Sequence, residues 1–107
     1  IFSIDTVNPN QPQNLLPADK FNSTLNTQVS CSWTTPTDSG EVQSPYTYDV
    51  EISSTNDFGV LILNSNVTST SFNYTFSTTG TYYWRVKAID KAKNSSSYSN
   101  VNSIIVK

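Results

Sequence analysis

The chain has 107 residues, 36% hydrophobic and 13% charged, with eight acidic against six basic side chains, no histidine and one cysteine. That length accommodates one domain, and a formal charge of -2 scattered without runs gives no electrostatic basis for binding nucleic acid or an anionic membrane. Without histidine neither a Ser-His-Asp nor a Cys-His arrangement exists, and zinc ligands shrink to one thiol and carboxylates.

Apolar and polar residues alternate along much of the sequence, and no window holds a 3.6-residue period over three turns, so the class is all-β. No apolar run approaches the roughly 18 to 20 residues needed to span a bilayer as a helix. The opening Ile1-Phe2-Ser3-Ile4-Asp5 lacks a basic region followed by an apolar core, so any signal or anchor is expected outside this stretch. Pro9, Pro12 and Pro17 mark an extended entry. Residues 1–11 read as a linker or the end of a preceding repeat, and 12–107 as the domain.

Val29-Ser30-Cys31-Ser32-Trp33 alternates and predicts a strand, stopped by the Pro36, Asp38 and Gly40 of a loop over 34–45. Cys31, at even spacing between Val29 and Trp33, points into the core as a buried, inert thiol with no internal disulfide partner. Residues 46–53 alternate with every even position apolar. Phe58 with 60–63 makes a shorter run, Phe72 and Tyr74 another, and Tyr82, Trp84, Val86 and Ala88 place four apolar side chains on one face. A last strand covers 101–106. About seven short strands separated by turns predict an antiparallel Greek-key β-sandwich of the immunoglobulin-like kind, with a barrel as the main alternative.

The outward positions test strand order. Asp49 and Glu51 face outward on one strand and Arg85 and Lys87 on another, so neighbouring strands would form a charged ladder that fixes register. Inward, Trp33 needs a large flat partner across a gap of about 10 Å, which Tyr48, Tyr82 and Trp84 supply. Tyr82, just past Gly80, has the position of a corner tyrosine whose hydroxyl bonds to nearby backbone.

The segment Gly80-Thr81-Tyr82-Tyr83-Trp84-Arg85-Val86-Lys87-Ala88-Ile89-Asp90 followed by Asn94-Ser95, with Trp33 and Tyr48, resembles the fibronectin type III pattern over roughly 12–107. It is similar to the form common in tandem repeats of large microbial surface and secreted proteins. Lys93 stands where the family often has Gly, and Phe76 where a Leu usually precedes the strand. The first departure alters a turn, and the second keeps an apolar plug. Ile4-Asp5-Thr6-Val7-Asn8-Pro9 looks like the joint between successive repeats, which makes 1–5 the last strand of a preceding repeat or an ordinary first strand.

No residue set marks catalysis. Asp38 and Glu41 sit on an open loop, while Asp49 and Glu51 face cations, so paired carboxylates for glycoside chemistry are absent and no enzyme is expected. Asp38 with Glu41, Asp57, or Asp90 with Asn94 offers at best a poor calcium site and is explained by turn formation; no metal or cofactor is expected. Lys20, Lys87, Lys91 and Lys93 carry no motif for an isopeptide bond. Sequons begin at Asn22, Asn66, Asn73 and Asn94, in a chain so rich in Asn, Ser and Thr that chance produces them.

Ligand contacts, if any, are expected at the loops 34–45 and 91–97, with Lys91 and Lys93, or at the exposed aromatics Tyr83 and Tyr98. The resemblance implies a structural spacer or adhesive repeat of an extracellular or cell-surface protein, monomeric in isolation, with adjacent domains of its own chain as partners. The alternative is a module that binds protein or carbohydrate.

Overall fold

The computed structural model describes residues 9–35, 46–91 and 93–107. The joint-like segment before Pro9, the carboxylates Asp38 and Glu41, and most of the 34–45 loop lie outside the described residues. Eight strands follow in order: β1 (Gln13–Leu16), β2 (Phe21–Ser23), β3 (Gln28–Thr34), β4 (Thr47–Ser53), β5 (Leu61–Val67), β6 (Ser71–Thr75), β7 (Gly80–Ile89) and β8 (Asn102–Val106). They form a sandwich of a three-stranded sheet, β1-β3-β6, and a five-stranded sheet, β2-β8-β7-β4-β5.

Two details differ from the expectation of about seven antiparallel strands. The entry segment splits, pairing β1 antiparallel with β3 in one sheet and β2 parallel with β8 in the other. Pro17 follows the last residue of β1 and has no N–H to continue the ladder. The chain then passes to the second sheet without reversing direction, so it meets β8 in parallel. Lys20 at φ 63° helps the crossing, and β1 is itself irregular, with Asn14 at φ 56°. Pieces of four and three residues are too short for alternation to reveal.

The core is the meeting of the two inner faces. Trp33 and Cys31 from β3 pack under Tyr48, Val50 and Ile52 from β4 and Trp84, Val86 and Ala88 from β7, all buried. The Trp33 ring meets Tyr48 edge-on at 5.4 Å and lies 6.1 Å from Trp84, within the range where aromatic pairs add to simple burial. Phe76 does plug the end: its ring stacks on Tyr82 at 4.4 Å, and the Tyr82 hydroxyl donates to the Thr78 carbonyl at 2.8 Å, as a corner tyrosine should. Burial pushes the Cys31 thiol up to about 12, so it stays protonated and unreactive.

Register follows the charges. Asp49 stands opposite Lys87 and Glu51 opposite Arg85. The second rung closes as an ion pair, with Arg85 Nε and Nη2 each 2.8 Å from Glu51 Oε1. Asp49 instead accepts from the Asn66 amide at 2.8 Å.

Regular β7–β8 pairing ends at Trp84 opposite Asn102. Beyond it the irregular segment before β8 finishes the edge with side chains. Ser96 donates its N–H to the Ala88 carbonyl at 2.8 Å while its hydroxyl accepts the Ala88 N–H at 2.9 Å. Ser99 does the same for Val86, at 2.7 and 3.0 Å.

Since Trp33 links three aromatic neighbours across both sheets, Trp33→Ala is expected to cost about 3–5 kcal/mol in urea denaturation. A loss under about 1 kcal/mol would mean that the indole does not carry the core.

Candidate functional site

The outer face of the five-stranded sheet gathers most of the residues singled out in sequence. Arg85 lies at its centre: the guanidinium carbon sits 4.0 Å from the Phe58 ring centre and 3.9 Å from that of Tyr98. Phe58 reaches this position from the turn between β4 and β5. There the Asp57 carboxylate and the Thr55 hydroxyl accept the Gly59 N–H, and Phe58 itself adopts φ 59°. A bulky side chain rarely takes that conformation, and its burial against Arg85 offsets the strain. The Gly59 N–H also holds the Asp57 carboxyl below its ordinary range.

Tyr98 is thus placed against cations, Arg85 and, at 5.0 Å, Lys87 Nζ. Burial first, and then the nearby Glu51 charge, raise its phenol pKa above the ordinary value, so it remains a neutral hydroxyl. Arg85, Glu51, Phe58 and Tyr98 form a closed network with its charges paired.

Tyr83 lies elsewhere on the face. With Thr81, Ser103 and Ile105 it floors a shallow cleft of about 440 Å³, walled by Asp19, Lys20, Asn56 and Val101. Asp19 ties that wall down: its Oδ1 accepts from the Ser103 N–H at 2.6 Å and the Ser103 hydroxyl at 2.8 Å. These bonds hold the carboxyl below its ordinary range, the Ser103 N–H having the largest effect.

Lys91 and Lys93 are exposed beyond the Ile89 end of β7, and Tyr83 to Ile89 alone spans roughly 20 Å at about 3.3 Å per residue. The four residues expected at a ligand site are therefore not brought together. Lys93 belongs to a tight turn in which its N–H donates to the Asp90 carbonyl, while Asp90 Oδ1 accepts the Asn94 N–H. Its φ is 72°, the left-handed region that favours glycine. Asp57 and Asp90 both serve turn N–H groups, and among the described residues no three of Cys, Asp and Glu converge as metal ligands.

Sequence reasoning passed over an apolar groove. Leu16, Pro17, Phe21 and Val29 line a depression of about 470 Å³ between the two sheets, rimmed by Asn22, Ser23, Thr24, Thr27, Gln28 and Ser30. Leu16 is 58% exposed and Phe21 41%. One rim is bound to the last residue: Lys107 N–H donates to Ser23 and the Lys107 carbonyl accepts from Leu25. The available signal was Leu15-Leu16-Pro17 and Phe21, apolar residues in a stretch with no strand-length alternation to bury them.

No family model matches the chain, and no curated protein does. Solved structures do. An Fn3-like protein from Clostridium thermocellum is 20% identical, over 94% of this chain and 96% of that one, with a TM-score of 0.63. The twitchin kinase region from C. elegans is 18% identical over 92% of this chain, which spans 17% of it, with a TM-score of 0.69. The 6th fibronectin type III domain of human fibronectin type III domain containing protein 3 is 20% identical, over 98% and 89%, at 0.61. The chain has the fold of fibronectin type III-like domains.

Lys93→Gly is expected to raise stability by about 1 kcal/mol in chemical denaturation, because glycine has no Cβ to strain at that φ. An unchanged midpoint would show that the lysine is held without strain. Asp19 gives a pH signature. Its folded pKa is depressed, so its contribution is complete above the unfolded value near 3.9 and is lost as pH falls through the folded value. Asp19→Asn should therefore be less stable than the parent by about 1 kcal/mol at pH 7, after allowance for solvent exposure. The gap should narrow below about pH 4; a gap that persists at lower pH would contradict this assignment.

Proposed function

We propose that this domain is a non-catalytic structural or adhesive module of an extracellular or cell-surface chain, and that the groove at Leu16 and Phe21 seats an adjacent domain. The groove carries the reading: an apolar floor with a polar rim is the form of a contact surface. Lys107 is hydrogen-bonded to Ser23 and Leu25 at one end of that rim, which puts this end of β8 beside the groove. Support for the setting comes from the 80–90 segment, similar to repeats of microbial surface and secreted proteins, and from the recurrence of this fold inside longer chains such as the twitchin kinase region. At the centre of the outer face Arg85 is paired with Glu51 and held between two rings, which accords with a frame rather than a reaction centre.

The second reading rests on the Tyr83 cleft, whose aromatic floor and polar walls suit a glycan or peptide. One experiment separates the two. Thermal unfolding of this domain in its native longer chain should occur several degrees above that of the isolated domain, at roughly 4–8 °C per kcal/mol of coupling. Leu16→Ser with Phe21→Ser should abolish the difference. Equal midpoints in both contexts would remove the docking reading. Amide shifts at Thr81, Tyr83 and Ile105 on titration with oligosaccharides, insensitive to Leu16 and Phe21, would favour the cleft.

A further inference from the structure

β5 is the outer strand of the five-stranded sheet, with β4 on one side and, among the described residues, no strand on the other. Edge strands normally protect their free N–H and C=O groups with charged residues or proline. Here no charged residue and no proline occurs between Asp57 and Arg85. The strand and its approach instead expose Val60 at 55%, Leu61 at 43% and Ile62 at 38%. A bulge opposite Ile52 and Ser53 disturbs only this approach; from Leu63 to Val67 the pairing with β4 is regular, so its other edge is a straight template five residues long.

That template matches itself. In an antiparallel pairing of two copies about Ser65, Leu63 stands opposite Val67 of the second copy, Asn64 opposite Asn66, and Ser65 opposite Ser65. Leu63 and Val67 are partly buried and pack against the core from the inner face, so pairing extends both cores toward each other. Asn64 and Asn66 lie on the outer face, where their amides donate to Glu51 and Asp49. Apolar meets apolar, amide meets amide, and no like charges oppose each other across the new pair. An extended peptide bearing charges gains no ion-pair partner from this strand.

We propose that β5 is a homotypic interaction site, through which two copies of this domain join edge to edge about a two-fold axis at Ser65 into one continuous sheet. A contact of this length buries less than the roughly 1,200 Å² of a stable interface, so the association is weak and operates where copies are concentrated or tethered.

The test uses the isolated chain and leaves the groove at Leu16 and Phe21 untouched, so its outcome is independent of domain docking there. Antiparallel partners stand about 4.5–5.5 Å apart at Cα, within disulfide reach. Ser65→Cys should oxidise to a covalent dimer at least ten times faster than Asn73→Cys, placed on β6 at the edge of the other sheet; Cys31 is buried and does not interfere. Asn64→Lys with Asn66→Lys puts like charges across the pair while leaving Glu51 and Asp49 within reach for each domain. Those substitutions in the Ser65→Cys chain should abolish the preferential cross-linking without lowering the unfolding midpoint. Equal oxidation rates at Ser65 and Asn73, or sedimentation as a monomer at all concentrations up to about 1 mM, would overturn the proposal.

Discussion

The fold depends on satisfying both edges of β7 along its full length. Its four inward side chains, Tyr82, Trp84, Val86 and Ala88, are buried, and unpaired backbone groups beside them would each cost about 1–3 kcal/mol. β4 covers one edge from Tyr83 to Ile89. On the other, β8 stops at Trp84, and Ser96 and Ser99 take over, each donating its amide and accepting with its hydroxyl. A serine hydroxyl reaches as far as a carbonyl oxygen in a strand, but without requiring strand conformation. The segment is therefore free to carry Tyr98 outward over Arg85.

That freedom organises the outer face. Arg85 can be held flat only if both its charge and its faces are occupied, and the three groups that do so come from different elements: Glu51 on β4, Phe58 in the turn after it, and Tyr98 beyond β7. A planar guanidinium suits this arrangement where an ammonium would not. The strained backbone at Phe58 belongs to the same arrangement, since the residue held at φ 59° carries the ring that lies on Arg85. The Arg85 and Glu51 charges are thus spent on register and rigidity.

The legible parts of this fold were those with period. The strands β3, β4 and β7, seven to ten residues long, showed alternation, and with it Trp33, Cys31 and Trp84 in the core and the register of Glu51 on Arg85. Tyr82 and Phe76 were readable because a turn fixes their distance from the strand. What had no period was not readable. The three- and four-residue pieces β1 and β2 gave no pattern, and β5 was legible only through Val60 to Leu63, since Asn64 to Val67 reads as polar. The ligand candidates were chosen by loop position and residue type, and neither says that Tyr98 lies on Arg85, nor that Tyr83 helps floor a cleft with Asp19 and Ser103.

The strand split and the apolar groove share one cause. Had the entry segment run as one strand along β3, Leu16 and Phe21 would lie along a single sheet edge. Because it leaves one sheet at Pro17 and joins the other at Phe21, it spans the open side of the sandwich, and the side chains flanking the crossing are left at the gap. The crossing is held by polar contacts, Asp19 to Ser103 and Asn102 to the Pro17 carbonyl, rather than by apolar packing. It can therefore leave Leu16 and Phe21 uncovered without coming loose. A closed edge and an exposed apolar surface are ordinarily in conflict; here hydrogen bonds do the closing, and the apolar side chains remain for contact.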